Sequence, residues 1–270
     1  MRPQTFLNTA VALIGVLLVG ATSAQSPRLA LVIGNTDYKS EPLRNPVNDS
    51  RAVSSALRDL GFEVLERENV SQRDLITALQ QFSIAARNRQ TRLVYFAGHG
   101  MQIKGRNYLI PVDADLATEE DVVRTSADVN DLLDRLGDLR SGTNIVILDA
   151  CRNNPFNNTP TLDANGRRIH TRAIRNTLGL AQVDAPHGTL IAYSTAPGAV
   201  AIDAASGKNS VYAKHLLSNL NTPGQTVEQL FKRVRIAVAS ETQNQQIPWE
   251  TSSLMGDFCF RAGTARQCGQ

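Results

Sequence analysis

Apolar residues along this chain recur in two patterns, as short continuous runs and as runs with helical spacing. The continuous runs have the length of strands that are buried on both faces, and they cover residues 28–34, 91–97, 143–150 and 188–195. Shorter apolar stretches predict strands at 62–65 and, at the end of the chain, at 253–260. A hairpin is predicted over 101–111, with its turn at Lys104-Gly105.

Segments with helical spacing lie between these runs. Apolar residues three and four positions apart predict helices at 45–60, 71–87, 126–139, 210–220 and 226–240. Pro46 and Ser71 are typical of the first positions of helices. Strands that alternate with helices predict an α/β fold with a doubly wound, mostly parallel six-stranded sheet and helices on both faces. In such sheets, functional residues lie beyond the carboxyl ends of the strands.

The first 24 residues have the pattern of an export signal. Arg2 gives a positive start, and the apolar run over 10–21 is shorter than the roughly 20 residues of a membrane span. Small residues follow at 22–24, as a signal peptidase requires. We therefore expect a secreted or periplasmic domain over 25–270, without a stable membrane span after cleavage. The alternative is an uncleaved N-terminal anchor, and both interpretations place the domain outside the cytoplasm.

Composition narrows the class of protein further. The chain has 270 residues, of which 42% are hydrophobic and 20% charged, as expected for one globular domain. The net charge of +3 comes without a long basic run, so no nucleic-acid partner is indicated. Three cysteines are too few for a disulfide scaffold. In an oxidising compartment Cys259 and Cys268 could pair, or remain two thiols, which leaves Cys151 as a candidate reactive group.

A histidine and a cysteine each follow a predicted buried strand. His99 lies directly beyond 91–97, and Cys151 directly beyond 143–150. If the two strands are neighbours, an imidazole lies beside a thiol, the arrangement that generates a thiolate nucleophile. Backbone N–H groups of Gly100 and Cys151 could then face a developing oxyanion. A single His or buried Cys is more often structural, but their matching positions favour chemistry.

The segments Tyr95–Gly100 (YFAGHG) and Leu148–Asn153 (LDACRN) resemble the two catalytic motifs of the caspase–metacaspase peptidases. His99 and Cys151 are 52 positions apart, and the corresponding separation in caspases is about 50. The resemblance covers about 28–260 and is strongest to the bacterial metacaspase-like members, the orthocaspases. It implies a caspase-like fold with a His99–Cys151 dyad and an oxyanion site at Gly100 and Cys151. It also implies a p20-like part over 28–151, a linker over 152–186, a p10-like part over 187–260, and a monomer.

The same resemblance implies a preference for basic residues before the cleaved bond. Caspases cleave after Asp and have a Gln two residues before the Cys, whereas this chain has Asp149 at that position. Caspases also have an Arg in the segment where this chain has Ser194. Metacaspases cleave after Arg or Lys with two acids, whose positions match Asp49 and Asp149. We therefore expect a P1 pocket of Asp49, Asp149 and Ser194 for peptide or protein substrates with Arg, then Lys, at P1. The alternatives are a first-turn helix acid at Asp49 and a strand-end cap at Asp149.

The linker over 152–186 carries several arginines, at Arg167, Arg168, Arg172 and Arg175. An arginine-specific peptidase could cut itself there, although the segment also suits a solvated basic loop.

The chemistry requires no cofactor. Many metacaspases are activated by calcium through paired acids, and the resemblance places these at Ala127 and Asp128, where one acid is missing. An acidic stretch over 113–121 lacks EF-hand spacing. Asp113 and Asp128 are the resulting calcium candidates.

Two other classes of protein compete with a peptidase. A catalytically silent or latent caspase-like binding module would usually lose His99 or Cys151, and this chain keeps both. A doubly wound nucleotide- or flavin-binding protein would need a phosphate loop after the first strand. The stretch Gly34–Tyr38 (GNTDY) matches neither G-x-G-x-x-G nor the Walker pattern.

Overall fold

The computed structural model describes residues 28–139, 141–151, 161–162, 168–169, 180–196, 208–263 and 268. The predicted export signal lies outside these residues, as do Arg167, Arg172 and Arg175 of the linker.

The elements of the described residues alternate as the sequence predicts. The strands are β1 (Arg28–Gly34), β2 (Phe62–Glu68), β3 (Thr91–Ile103), β4 (Arg106–Leu109), β5 (Ala127–Asp128), β6 (Thr143–Cys151), β7 (Thr161–Leu162), β8 (Arg168–Ile169), β9 (Thr189–Tyr193) and β10 (Trp249–Ser252). The helices are α1 (Pro46–Asp59), α2 (Gln72–Ala86), α3 (Glu119–Thr125), α4 (Val129–Gly137), α5 (Val211–Leu220) and α6 (Val227–Glu241).

The main sheet has six strands in the order β10-β9-β6-β3-β1-β2. The five strands from β9 to β2 are parallel to one another, and β10 is antiparallel to β9. Beyond this sheet, β3 continues into a hairpin with β4, which in turn pairs with β5, while β7 and β8 form a separate hairpin. The predicted doubly wound, mostly parallel sheet is therefore confirmed.

Each face of the sheet is covered by its own set of helices. Alternate strand residues such as Val32, Tyr95 and Ile147 share one apolar cluster with α1, α5 and α6. The residues between them, such as Phe96 and Leu148, share a second cluster with α2 and α4. All five side chains are at most 1% exposed, and full burial of a side chain of this kind stabilises the fold by roughly 1.5–3 kcal/mol. This two-sided burial explains why the strand sequences are continuously apolar.

Two predicted elements differ from the observed ones. The predicted helix over 126–139 is observed as the shorter α4, and α3 before it was not predicted. Thr118 is the N-cap of α3 and forms a capping box with Asp121. The predicted last strand at 253–260 is wrong, since β10 lies at Trp249–Ser252. Apolar residues at 258 and 260 suggested a strand because they alternate. Phe258 and Phe260 are instead buried against the core as a loop, in which only one isolated bridge pairs Cys259 with Thr226.

A disulfide fastens the end of the described chain. Cys259 and Cys268 are joined, with their Cα atoms 5.6 Å apart, which confirms this pairing. Beside it, Nη1 of Arg28 donates to the Phe260 carbonyl at 2.7 Å and ties this segment to the start of β1. In the part of the chain that the structure describes, no helix is long and apolar enough to cross a membrane.

Candidate active site

The two motif strands lie side by side, and their pairing ends at the motif histidine and cysteine. β3 and β6 are adjacent and parallel, and their register pairs Ala97 with Asp149 and His99 with Cys151. The structure therefore brings the predicted histidine and cysteine to opposing positions at the carboxyl edge of the sheet. The two residues are 52 positions apart in the sequence, and the pairing of β3 with β6 brings them together.

The imidazole of His99 is held by the loop that follows β1. Its Nε2 lies 2.8 Å from the carbonyl oxygen of Glu41, and because a carbonyl only accepts, Nε2 carries the hydrogen. The ring of Tyr38 packs against the imidazole, with their centroids 4.2 Å apart, and its hydroxyl accepts from the backbone N–H of His99 at 2.8 Å. These contacts fix both the tautomer and the position of the ring.

The remaining nitrogen of the ring is suited to accept a proton. Nδ1 of His99 is buried and has no hydrogen-bond partner among the described residues. Burial lowers the pKa of His99, against a smaller opposing effect of the Glu41 carbonyl. A neutral imidazole with a free Nδ1 lone pair is the form that removes a proton from a thiol.

The glycines on either side of His99 permit close packing. A Cβ at Gly98 would lie 2.5 Å from the Tyr38 hydroxyl, and one at Gly100 would lie 2.9 Å from the Cβ of Ala150. Side chains at these two positions would therefore push apart the groups that hold His99 between β3 and β6. The oxyanion role of the Gly100 and Cys151 N–H groups stays a prediction.

Two buried carboxylates lie near the end of β6. Asp149 precedes Cys151 by two residues and Asp49 lies in the first turn of α1, and they are 8% and 1% exposed. Ser210, the N-cap of α5, joins them: its N–H donates to Oδ1 of Asp49 at 3.0 Å and its Oγ to Oδ2 of Asp149 at 2.9 Å. Asn209 Nδ2 donates to Asp49 at 2.8 Å, and the Tyr95 hydroxyl lies 3.4 Å from Asp149.

The electrostatics of this pair favour a cation. Burial, and next the negative charge of Asp149, raise the pKa of Asp49 to about 7, while hydrogen bonds from Asn209 and Ser210 oppose the rise. Burial and the same carboxylate also hold the pKa of the Tyr95 hydroxyl well above its usual range. Two carboxylates at one buried site repel each other, and a guanidinium or ammonium group between them would relieve that repulsion.

Ser194 lies at the same edge of the sheet, immediately after β9. It is 1% exposed, its N–H donates to the Leu148 carbonyl at 3.0 Å, and its own carbonyl accepts from Nε2 of Gln246 at 2.8 Å. Its hydroxyl finds no hydrogen-bond partner within the described ranges. The structure thus places Ser194 beside the end of β6 and shows no hydrogen bond from it to the carboxylate pair.

Sequence reasoning did not find Ser210, Asn209 and Glu41. Ser210 carries a sequence signal, because it stands where the predicted fifth helix begins and serine is a preferred N-cap. Glu41 carries none, since its backbone carbonyl is what contacts His99.

The two calcium candidates, Asp113 and Asp128, make hydrogen bonds or ion pairs with other residues of the protein. Asp113 accepts from the Gln72 N–H at 2.8 Å at the start of α2. Asp128 pairs with Arg106 and accepts from the Asn130 N–H at the start of α4. Across the residues that the structure describes, no three His, Cys, Asp or Glu side chains form a group that could hold a metal ion. Calcium activation stays a prediction.

This fold, with a His and a Cys at the ends of adjacent central strands, is typical of caspase-like cysteine peptidases. The sequence profile of the caspase domain, peptidase family C14, matches residues 27–259. The chain therefore belongs to the caspase-domain family, whose substrates are peptides and proteins.

Several individual proteins are similar to this chain. Human mucosa-associated lymphoid tissue lymphoma translocation protein 1 is 30% identical over 140 residues, which are 51% of this chain and 17% of that protein. Pig caspase-1 is 30% identical over 132 residues, which are 46% of this chain and 31% of that protein. The chain thus spans less than a third of the length of these relatives.

The fold is also that of a solved caspase. The crystal structure of caspase-1 from Spodoptera frugiperda superposes with a TM-score of 0.62 at 20% identity, covering 89% of this chain and 92% of that one. The predicted caspase-like fold is therefore confirmed.

Proposed function

We propose that this protein is a cysteine endopeptidase that cleaves after Arg, and less readily after Lys, with His99 and Cys151 as its catalytic dyad. The observation that carries the proposal is the register pairing of His99 with Cys151, next to the buried carboxylates of Asp49 and Asp149. A catalytically silent binding module, the alternative function, would not need His99 and Cys151 to be paired in register.

The reaction proceeds in two acyl transfers. Nδ1 of His99 takes the proton of the Cys151 thiol, and the thiolate attacks the scissile carbonyl. N–H groups of Gly100 and Cys151 stabilise the oxyanion, and the imidazolium returns its proton to the leaving amine as the C–N bond breaks. A water molecule, deprotonated by His99, then attacks the thioester and releases the acid and the thiol. The Glu41 carbonyl stabilises the imidazolium through Nε2.

The carboxylate pair accounts for the choice of P1 residue. The guanidinium of a P1 Arg is planar and has five N–H donors, so it can bridge Asp49 and Asp149, whereas the ammonium of Lys is a point charge. Ser210 and Asn209 donate to the two carboxylates and hold them at one place, and a substrate cation would bind the acceptor positions that these donors leave open. A P1 Asp would add a third negative charge to the site.

The proposal extends to processing and location. An enzyme with this specificity has substrates in its own linker over 152–186, and the two parts would stay together because β6 and β9 are neighbours. The Cys259–Cys268 disulfide is typical of an oxidising compartment and supports export. We propose a monomer that is secreted or periplasmic, and that needs no cofactor for its chemistry, with calcium as an activator to be tested.

Fluorogenic peptides that differ only in P1, with Arg, Lys, Asp or Ala, test this function. The purified protein is assayed with calcium and with chelator, beside Cys151→Ala. We expect turnover of Arg above Lys, no turnover of Asp, and none of any peptide by the variant. Cleavage of the Asp peptide above the Arg peptide, or equal activity in Cys151→Ala, would contradict the proposal. Intact mass of both proteins detects self-cleavage.

A further inference from the structure

A pocket adjoins His99 and is separate from the carboxylate pair. It has a volume of about 300 Å³, and its walls come from the loop after β1, the start of the β3–β4 hairpin and residues 114–116. His99 and Gly100 line it, whereas, of the residues described, neither Asp49 nor Asp149 does. The pocket is therefore a feature of its own beside His99 and differs in character from the carboxylate pair.

The order of strands places this pocket on the far side of His99 from Cys151. β9, β6, β3 and β1 are consecutive neighbours and end at the same edge. Along that edge Cys151 of β6 comes first, His99 of β3 next, and the pocket loop after β1 last. A peptide whose scissile carbonyl lies at Cys151 has its leaving amine at His99, which protonates it. The residue after the scissile bond then continues toward the pocket.

The lining of the pocket is apolar inside and charged at its rim. Met101 and Ile110 are buried in the floor, and the half-buried Leu116 continues the apolar surface. Lys39, Glu41 and Asp115 are exposed at the rim, so it carries two acidic groups and one basic group. Ligand pockets start at roughly 300 Å³, so this one suits a single side chain with its backbone rather than a long peptide. An aliphatic side chain would be desolvated there. The carboxylate of an acidic side chain would lose hydration against Met101 and Ile110, and the two acids of the rim outnumber Lys39.

We propose that this pocket is the subsite for the first residue after the scissile bond, P1′, and that it selects aliphatic side chains. The assignment rests on the proposed endopeptidase function and adds a second determinant of specificity to the basic P1 residue.

This subsite distinguishes the candidate self-cleavage positions of the linker. The four arginines are followed by different residues: Arg167 by Arg, Arg168 by Ile, Arg172 by Ala and Arg175 by Asn. The subsite favours the bond after Arg168 over the other three. Self-cleavage, if it follows this rule, produces a new N-terminus at Ile169.

Internally quenched peptides test the subsite. They share P1 Arg and differ only at P1′, with Ile, Gly, Lys or Asp. We expect kcat/KM for the Ile peptide to exceed that for the Asp peptide about tenfold, in the range that one apolar contact supplies in a pocket. Cleavage of all four peptides within twofold would overturn the subsite and leave the proposed function intact. Absence of any Arg cleavage would instead count against the proposed function.

Binding gives a readout that needs no turnover. The same peptides are titrated into Cys151→Ala, and the Ile peptide is expected to bind several-fold more tightly than the Asp peptide. Equal affinities would overturn the proposal even if the enzyme were latent.

A pair of variants in one loop locates the effect. Ala114→Trp fills the pocket, whereas Ala117→Trp adds the same side chain at an exposed position three residues further that does not line it. The ratio of Ile to Asp cleavage should fall toward one in Ala114→Trp and stay near tenfold in Ala117→Trp. An unchanged ratio in Ala114→Trp would show that P1′ selection arises elsewhere.

Discussion

The carbonyl of Glu41 accepts a hydrogen bond from Nε2 of His99 at 2.8 Å, and Glu41 itself has a left-handed backbone with φ of 55°. A left-handed conformation is unfavourable for a residue with a Cβ, by about 1–2 kcal/mol. The fold thus maintains a strained residue at the point where a backbone carbonyl orients the candidate catalytic imidazole. Because the contact to His99 comes from the main chain of Glu41, activity should depend on the backbone conformation at this position rather than on its side chain.

Substitutions at Glu41 should therefore distinguish an effect of its backbone carbonyl from an effect of its side chain. Glu41→Pro fixes φ near −65° and moves the carbonyl, so we expect kcat to fall on the order of 100-fold, the cost of a small misplacement of a catalytic group. Glu41→Gly keeps φ positive without strain and should retain most activity. Steady-state kinetics with a P1 Arg peptide measure both. An inactive glycine variant would show that the Glu41 carboxylate is what matters.

The raised pKa of Asp49 predicts a pH-dependent stability. Between about pH 4 and pH 7 the folded protein holds a proton on Asp49 that the unfolded chain has lost, so the free energy of unfolding falls as pH rises through this window. Asp49→Asn keeps an acceptor for Ser210 and removes the charge. We expect its Tm to exceed that of the wild type at pH 8 and to match it near pH 4. Each 1 kcal/mol of unfolding free energy that the Asp49 charge costs corresponds to roughly 2–4 °C in Tm.

Asp59→Asn serves as the control for this measurement. Asp59 is exposed at the last position of the same helix, α1, so its substitution should leave the pH dependence of Tm unchanged. A gain in Tm for Asp49→Asn that is equal at both pH values would refute the interpretation.

Ser210 should act as a positioning residue for Asp49 and Asp149, the proposed P1 carboxylates. Ser210→Ala removes the hydroxyl that donates to Asp149 and accepts from the Ala213 N–H as the cap of α5, so we expect a loss of about 1 kcal/mol of stability. It also removes a side-chain hydrogen bond that lowers the pKa of Asp49, so less of Asp49 would be charged at pH 7. KM for Arg peptides should therefore rise several-fold at pH 7 and less at pH 8.5.

Ser210→Thr keeps the hydroxyl and should restore KM. The comparison of KM for both variants at the two pH values decides the role. A KM increase in Ser210→Ala that does not change with pH would indicate a purely structural effect of the helix cap.

The Cys259–Cys268 disulfide should stabilise the fold without affecting the chemistry. It closes a short loop whose residue Phe260 binds Arg28 at the start of β1, at the opposite end of that strand from the site. Replacement of both cysteines by serine should cost roughly 2–3 kcal/mol, as expected for a loop of this length, with kcat/KM unchanged at 25 °C. Chemical denaturation and kinetics of the double variant check this, and a large loss of kcat/KM in folded protein would contradict it.

The sequence determined the strands of the sheet and the two residues at their ends. Apolar runs such as the one before His99 are continuous because both faces are buried, and this local signal needs no tertiary information. The same signal misplaced the last strand, since Phe258 and Phe260 alternate like strand residues although they pack as a loop. The capping box at Thr118 was present in the sequence, but the short α3 has too few apolar positions to show a period.

Only the tertiary structure decided how the site is assembled. The Glu41 carbonyl, the Ser210 bridge between Asp49 and Asp149, and the pocket beyond His99 join segments that are far apart in the chain; Ser210 and Asp49 are 161 residues apart. Such contacts depend on strand order and register, which place distant loops at one edge, and on main-chain groups that are identical in every residue. A sequence pattern identifies which side chains are available for chemistry, and the register of β3 and β6 determines which of them meet.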